Sequence, residues 1–158
     1  MGFKIFMKEL RHAMHYLFKT MCTVPLAFNS RPFQWVWAMK TVLIVDDEYM
    51  IAEILSFALE DEGVSALIAG CGQKALDILD NEQPDLVITD FMMPGMTGIE
   101  LAEAIRTRES HGLTPVILMS GAQASLGLAR PDLFVEVFEK PFDIDLVIAK
   151  VKSILGRL

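Results

Sequence analysis

The chain has 158 residues, and 53% of them are hydrophobic, which suffices for one packed domain but not for a second of any size. Residues 1–39 hold five Lys or Arg against one acid, whereas residues 40–158 hold nine against twenty. The acidic body argues against direct nucleic acid binding, because phosphate contacts need clustered cations. Cys22 and Cys71 form neither a metal-binding spacing nor a disulfide framework, as is typical of a cytoplasmic protein.

Residues 1–39 form a segment unlike the rest. Its apolar side chains recur at steps of three and four from Phe3 to Met21, which predicts a basic amphipathic helix, and residues 23–37 have the composition of a linker. Such a helix could lie on an anionic membrane, pack on a partner helix or cover the domain. Alternatively, the segment is a disordered tail, or it comes from a mistaken start site, because Met39 directly precedes the first strand. It matches neither a membrane span nor a secretory signal.

Apolar runs alternate with segments of helical periodicity through residues 40–158. Strands are predicted at 41–45, 64–69, 86–90, 115–119 and 134–138, and helices at 49–60, 72–81, 98–108, 123–129 and 143–155. The fourth helix is weak, because Gly127 interrupts it and Pro131 stops it. The main runs lack polar alternation, as in strands buried on both faces. The pattern therefore favours an α/β fold, a parallel sheet with helices on both faces.

Polar side chains stand where the predicted strands end, and these ends share one edge of a parallel sheet. Asp46 and Asp47 follow the first strand, and Asp90 ends the third. If these two strands are neighbours, three carboxylates converge and repel each other, which would raise at least one pKa. A hard divalent cation would offset the repulsion, and an all-oxygen ligand set favours Mg²⁺.

Two further strand ends supply complementary groups, the Ser120 hydroxyl and the Lys140 ammonium. A metal ion, an ammonium and a hydroxyl around one carboxylate suit an incoming phosphoryl group, with Asp90 as the nucleophile. The plainer interpretation is that Asp90 only caps the turn before Pro94.

Four motifs in this order resemble the response-regulator receiver domains of two-component signalling. They are VLIVDDE at 42–48, DLVITDFMMPGMTG at 85–98, VILMSG at 116–121 and EKPF at 139–142. The resemblance covers residues 40–158. It implies a flavodoxin-like, doubly wound sheet of five parallel strands in the order 2-1-3-4-5.

The resemblance also implies a role for each site residue. Asp90 would accept a phosphoryl group from a phosphohistidine on a sensor histidine kinase or a histidine phosphotransfer protein. Mg²⁺ would be ligated directly by Asp47, Asp90 and the backbone carbonyl of Met92, with Asp46 acting largely through water.

After transfer, Lys140 would pair with the phosphoryl oxygens, and Ser120 would move in to hydrogen-bond them and draw its loop along. The protein would be a phosphoacceptor and not a turnover enzyme. It would signal to a downstream protein target by contact through its fourth helix, fifth strand and fifth helix, a face that could also form a homodimer.

The sequence departs from the family pattern near the phosphoryl site. Receiver domains commonly have an aromatic residue three positions before the lysine that corresponds to Lys140, and here that position is Val137. The aromatic Phe138 stands one position later. The usual switch between two rotamers of that aromatic side chain is therefore not expected in its usual form. The interval from Ser120 to Lys140 is slightly short. Met92 and Ala122 are apolar where polar side chains often tune phosphoryl lifetime, which predicts slow self-dephosphorylation.

Other residues with reactive or ligating side chains are predicted to be structural. Met92, Met93, Met96 and Met119 are expected to serve in packing. The histidines show no metal spacing and are expected on the surface; they are His12, His15 and His111.

Three functions are consistent with the site. The first is a stand-alone receiver, since no output domain follows Leu158; the second is an unphosphorylated pseudo-receiver that serves as an interaction module. The third, a Mg²⁺-dependent hydrolase, is disfavoured, because Met92 stands where a second acid would be needed and there is no cap domain. Membrane contact is expected only if the helix in residues 1–39 is real.

Overall fold

A computed structural model describes residues 39–156. Five strands and five helices alternate through this range. The strands are β1 (Thr41–Val45), β2 (Ser65–Ala69), β3 (Leu86–Asp90), β4 (Val116–Ser120) and β5 (Glu136–Glu139). The helices are α1 (Tyr49–Asp61), α2 (Gly72–Glu82), α3 (Gly98–Arg106), α4 (Ala124–Leu128) and α5 (Ile144–Leu155).

The strands form one parallel sheet in the order β2-β1-β3-β4-β5, which confirms the predicted topology. In the register, Val45 of β1 lies beside Thr89 of β3, so the residues that follow both strands emerge side by side. Asp90 pairs with Met119 of β4, one position before Ser120. The sheet therefore brings the ends of β1, β3 and β4 to one edge.

A hydrophobic core lies on each face of the sheet. On one face, Leu43, Val87 and Leu118 pack with buried side chains of α2 and α3. On the other face, Ile44 and Ile117 pack with buried side chains of α1 and α5. Helices on both faces explain why the central strands carry almost uninterrupted apolar runs.

The edge strand β5 begins later than predicted. Phe134 is buried and packs in the core beside α3, but it precedes the strand, which starts at Glu136. Apolar periodicity marks burial and not backbone pairing, so it misplaced this strand by two residues. An edge strand also tolerates outward polar residues such as Glu136 and Glu139, which the apolar pattern did not include.

The prediction that His111 lies on the surface is wrong. Only 6% of this residue is exposed, and its Nε2 lies 3.8 Å from Oδ1 of Asp80 at the end of α2. The loop after α3 turns back at His111, whose carbonyl accepts from the Thr114 N–H at 2.9 Å. Burial follows from this loop geometry, which local composition does not reveal.

The predictions for the basic amphipathic helix, the linker, His12, His15 and Cys22 lie outside the described residues. Within residues 39–156, no helix has both the length and the apolar character needed to cross a membrane.

Candidate functional site

Asp90 ends β3 at the carboxyl edge of the sheet, and only 6% of it is exposed. Its Oδ2 accepts a hydrogen bond of 2.7 Å from the backbone N–H of Met92, which fixes the carboxylate against the turn after the strand. The chain then enters α3 close beneath the strand end: a Cβ at Gly98 would lie 2.3 Å from the Asp90 carbonyl oxygen. Glycine is therefore required where α3 begins.

The first turn of α3 is held by a capping box. The side chain of Thr97 accepts from the backbone N–H of Glu100 at 3.3 Å, and Glu100 accepts from the backbone N–H of Thr97 at 2.8 Å. These bonds satisfy amide groups that a helix start leaves unpaired. They stabilise the end of the loop that leads from Asp90 through Met92 to α3.

Asp46 is the buried acid of the pair that follows β1. It is 1% exposed, and its Oδ1 accepts from the backbone N–H of Glu48 at 2.8 Å. Asp47, the next residue, is exposed. The two neighbouring aspartates therefore have different environments, one enclosed and one open to solvent.

Lys140, which follows β5, joins both buried carboxylates. Its Nζ lies 2.6 Å from Oδ1 of Asp90 and 3.3 Å from Oδ2 of Asp46. Its backbone N–H donates to the Ser120 carbonyl at 2.7 Å, which attaches the end of β5 to the end of β4. The Lys140 ammonium thus extends from the end of β5, past β4, to the ends of β3 and β1.

The pKa shifts follow from this arrangement. Burial raises the pKa of Asp46 above its ordinary value, although the Glu48 N–H and the Lys140 charge oppose the shift. Burial alone would lower the pKa of Lys140, but its hydrogen bond to Asp90 and the charges of Asp46 and Asp90 outweigh that effect and raise it. The ammonium therefore stays charged at neutral pH.

Ser120 ends β4 with its side chain fully enclosed. It is 0% exposed, and in residues 39–156 its Oγ is the one buried side-chain oxygen or nitrogen without a hydrogen-bond partner. An unpaired buried hydroxyl costs free energy, about 1–3 kcal/mol in typical cases. A polar group that entered beside Asp90 could relieve that cost.

A cleft of about 470 Å³ opens above Asp90. Its lining includes acidic, apolar and amide side chains and the ammonium: Asp47, Glu48, Asp90, Phe91, Met92, Gly121, Gln123 and Lys140. The exposed Asp47 and the buried Asp90 thus face one space. The cleft is wide enough for a phosphoryl group with bound water.

The donor set fits Mg²⁺. In the described range, no group of three or more His, Cys, Asp or Glu side chains is arranged to hold a metal ion. Mg²⁺, however, is commonly held by one or two carboxylates, with water and substrate oxygens completing its shell. Asp47 and Asp90 supply two carboxylates in the cleft, and the backbone carbonyl of Met92 is an oxygen of the kind predicted as a third ligand.

The structure brings the predicted site residues together at one edge, where Lys140 contacts both Asp46 and Asp90. Met92 is 59% exposed at the cleft, so the prediction that it serves in packing is wrong. Met93, Met96 and Met119 do pack with the core, as predicted.

Sequence reasoning missed Gln123, which lines the cleft, because no motif marks a polar residue two positions beyond Gly121.

Comparisons with known proteins agree with this geometry. The family model for the response regulator receiver domain matches residues 42–152. A Mycobacterium tuberculosis protein named "probable transcriptional regulatory protein TcrX" is 38% identical over 122 residues, which cover 74% of this chain and 50% of that protein. The chain therefore spans about half the length of this curated relative.

Two solved structures are similar in fold and sequence. The receiver domain of Francisella response regulator 1452 is 30% identical with a TM-score of 0.68, and the match covers 75% of this chain and 98% of that one. The chemotaxis response regulator CheY4 of Vibrio cholerae is 26% identical with a TM-score of 0.67, and the match covers 73% and 98%.

Proposed function

The chain belongs to the family of response-regulator receiver domains, and we propose that Asp90 is the residue on which it accepts a phosphoryl group. One observation carries the proposal: the buried Asp90 carboxylate contacts the Lys140 ammonium at the edge where the Ser120 hydroxyl has no hydrogen-bond partner among residues 39–156. The donor is a phosphohistidine on a sensor histidine kinase or on a histidine phosphotransfer protein. Two-component signalling is the setting in which receiver domains work.

In the transfer step, a carboxylate oxygen of Asp90 attacks phosphorus. The bond between phosphorus and the donor imidazole breaks, and an acyl phosphate forms on Asp90. The Met92 N–H bond at 2.7 Å orients the carboxylate, and Lys140 neutralises charge on the terminal phosphoryl oxygens. Ser120 then donates its free hydroxyl hydrogen to one of those oxygens.

Mg²⁺ supplies further neutralisation of the phosphoryl charge when bound. The residues that would hold it are Asp47, Asp90 and the backbone carbonyl of Met92, while Asp46 would act through water. Asp46 also holds Lys140 in place through its contact of 3.3 Å with the ammonium.

Phosphorylation makes the site more negative by about one to two charges, and the new oxygens recruit Ser120 and Lys140. The protein reports this change by contact with a downstream protein target, in the cytoplasm. It is a phosphoacceptor and not an enzyme with an external substrate. Pairing of two copies through the α4–β5–α5 face remains a prediction.

The proposal is tested by phosphotransfer from a histidine kinase that carries labelled phosphohistidine. We expect label to move to the wild-type chain, to be released by hydroxylamine, which cleaves acyl phosphates, and to be absent from Asp90→Asn. Label that survives hydroxylamine would place the phosphoryl group elsewhere. No transfer from any kinase, together with no phosphorylation by a small phosphodonor, would favour an unphosphorylated interaction module.

A further inference from the structure

The proposed function gives the methionine side chains no role, and those in residues 39–156 differ in their exposure. Met93 and Met119 are buried, and Met96 is partly buried and packs against the core. Three methionines are exposed: Met39, Met50 and Met92. Oxidation of a thioether needs contact with a dissolved oxidant, so the exposed methionines are the ones open to it.

Met92 is the exposed methionine that lines the cleft above Asp90. Its backbone N–H donates to Oδ2 of Asp90 at 2.7 Å, which holds the residue beside the carboxylate. Among the described residues that line the cleft, Met92 is the one that contains sulfur. A change in the polarity of this side chain therefore changes the surroundings of the Asp90 carboxylate.

A peroxide converts an exposed thioether to a sulfoxide. In the balanced step, the sulfur attacks one oxygen of hydrogen peroxide and the O–O bond breaks. The other oxygen leaves as water with both hydrogens, so the sulfur is oxidised and the peroxide is reduced. The product has a polar S=O group where the side chain was apolar. The sulfoxide oxygen accepts hydrogen bonds, whereas a thioether sulfur is only a weak acceptor.

We propose that Met92 is a site of oxidation by peroxide, and that its sulfoxide shortens the lifetime of the phosphoryl group on Asp90. The effect on lifetime rests on the proposed function, because it needs a phosphoryl group on Asp90. The sulfoxide oxygen accepts a hydrogen bond from water in the cleft and orients that water towards phosphorus. The water oxygen bonds to phosphorus, the bond from phosphorus to the Asp90 oxygen breaks, and phosphate leaves with the hydrogens of the water.

The first test maps oxidation in the absence of a phosphoryl group. The wild-type chain is treated with hydrogen peroxide for increasing times, digested and analysed by mass spectrometry. Met92 and Met50 are both exposed, so we expect their sulfoxides to form at similar rates. The sulfoxide of the buried Met119 should form at least about tenfold more slowly. Oxidation of Met92 as slow as that of Met119 would overturn the inference.

The second test measures the phosphoryl lifetime. Peroxide-treated and untreated chains are first reduced with dithiothreitol, which restores cysteines from disulfides or sulfenic acids but leaves methionine sulfoxide. The chains are then phosphorylated with Mg²⁺ and acetyl phosphate, and intact mass follows the loss of the phosphoryl group after the donor is removed. We expect the half-life of treated wild type to fall severalfold, and incubation with methionine sulfoxide reductases to restore it.

Two variants assign the effect to one side chain. Met92→Leu keeps an apolar side chain of similar size without sulfur, so peroxide should leave its half-life unchanged. Met50→Leu removes an exposed thioether of α1 that does not line the cleft, and it should keep the wild-type response. Each variant is compared with its own untreated sample, and circular dichroism verifies that treated and untreated chains are folded.

A half-life that falls equally in Met92→Leu overturns the inference, because another residue would then carry the effect. An unchanged or longer half-life in wild type with oxidised Met92 overturns it too. If untreated wild type takes up no phosphoryl group, the proposed function fails and this inference fails with it. Phosphoryl uptake by the untreated sample separates that outcome from the other two.

Discussion

The Lys140 ammonium lies 2.6 Å from Oδ1 of Asp90, although β4 separates the strands that carry the two residues. The same ammonium lies 3.3 Å from Asp46. Lys140 thus occupies the place of a counter-ion between two buried carboxylates before any phosphoryl group arrives. It also competes there with any other cation that approaches Asp90.

This competition predicts two opposite effects of Lys140→Met. We expect Mg²⁺ to bind about tenfold more tightly, because a nearby positive charge is removed from a partly buried site. Phosphorylation by acetyl phosphate should slow at least about tenfold, because the phosphoryl oxygens lose a neutralising partner. Calorimetry measures the first effect, and a time course of intact mass the second.

The matched control is Lys150→Met, which removes an ammonium paired with Glu136 away from the cleft. It should leave both quantities unchanged. Weaker Mg²⁺ binding in Lys140→Met, or an unchanged rate of phosphorylation, would contradict the role assigned to Lys140.

We expect the phosphoryl lifetime to depend on the apolar side chain of Met92, which is exposed at the cleft. The thioether cannot orient an attacking water as a carboxamide can, so we expect slow self-dephosphorylation, with a half-life of minutes or longer. Met92→Gln should shorten the lifetime severalfold, as followed by intact mass after removal of the phosphodonor. Met50→Gln, at a methionine that is 75% exposed on α1, should not. A wild-type half-life of seconds would count against this account.

Arg106 joins the two loops that flank β4. Its guanidinium donates to the carbonyls of Thr114 at 2.7 Å and Leu133 at 2.6 Å. We expect Arg106→Met to lower the free energy of unfolding by about 2–3 kcal/mol, because half-buried carbonyls lose charged donors. Urea denaturation measures the change.

Arg130 provides the comparison for Arg106. It forms surface ion pairs with Glu103 at 2.8 Å and with Asp132 at 3.0 Å. Surface ion pairs contribute little, so Arg130→Met should lower the free energy of unfolding much less than Arg106→Met does. Equal losses in the two variants would show that the backbone contacts of Arg106 are not what stabilises the loops.

The capping box of α3 predicts a dependence of stability on pH. The backbone N–H and hydroxyl of Thr97 donate to Glu100 and hold the pKa of its carboxyl below the ordinary value of 4.5. A carboxylate with a depressed pKa stabilises the fold above its unfolded-state pKa, and that contribution is lost as the pH falls through the folded-state value. Wild type should therefore lose more stability below about pH 4.5 than Glu100→Gln does.

Urea denaturation across this acidic range measures the difference. Glu109→Gln changes an exposed acid outside the helix and should keep the wild-type dependence. Parallel curves for wild type and Glu100→Gln would show that the capping carboxylate does not contribute.

The fold and the buried part of the site could be predicted because each depends on a local signal. Runs such as Leu86–Asp90 are apolar where strands are covered on both faces, and a parallel sheet necessarily brings the ends of such strands to one edge. The contact of Lys140 with Asp90 follows from that topology and from the length of the lysine side chain.

Features that depend on distant partners were not predictable. Gly127 weakens a helix when considered alone, yet a Cβ there would lie 2.3 Å from Cδ2 of Leu118, so α4 requires glycine to approach the sheet. His111 is buried because its loop turns back, and Gln123 reaches the cleft because α4 begins beside it. Neither position carries a local signal of its surroundings.

The most direct test of the central claim is intact-mass spectrometry of the purified chain after incubation with acetyl phosphate and Mg²⁺, with Asp90→Asn in parallel. We expect wild type to gain one phosphoryl group, the gain to disappear with EDTA, and the variant to gain none. An equal gain in Asp90→Asn would contradict Asp90 as the acceptor. No gain in wild type, with Mg²⁺ still bound, would contradict phosphorylation of this domain by a small phosphodonor and favour an unphosphorylated module.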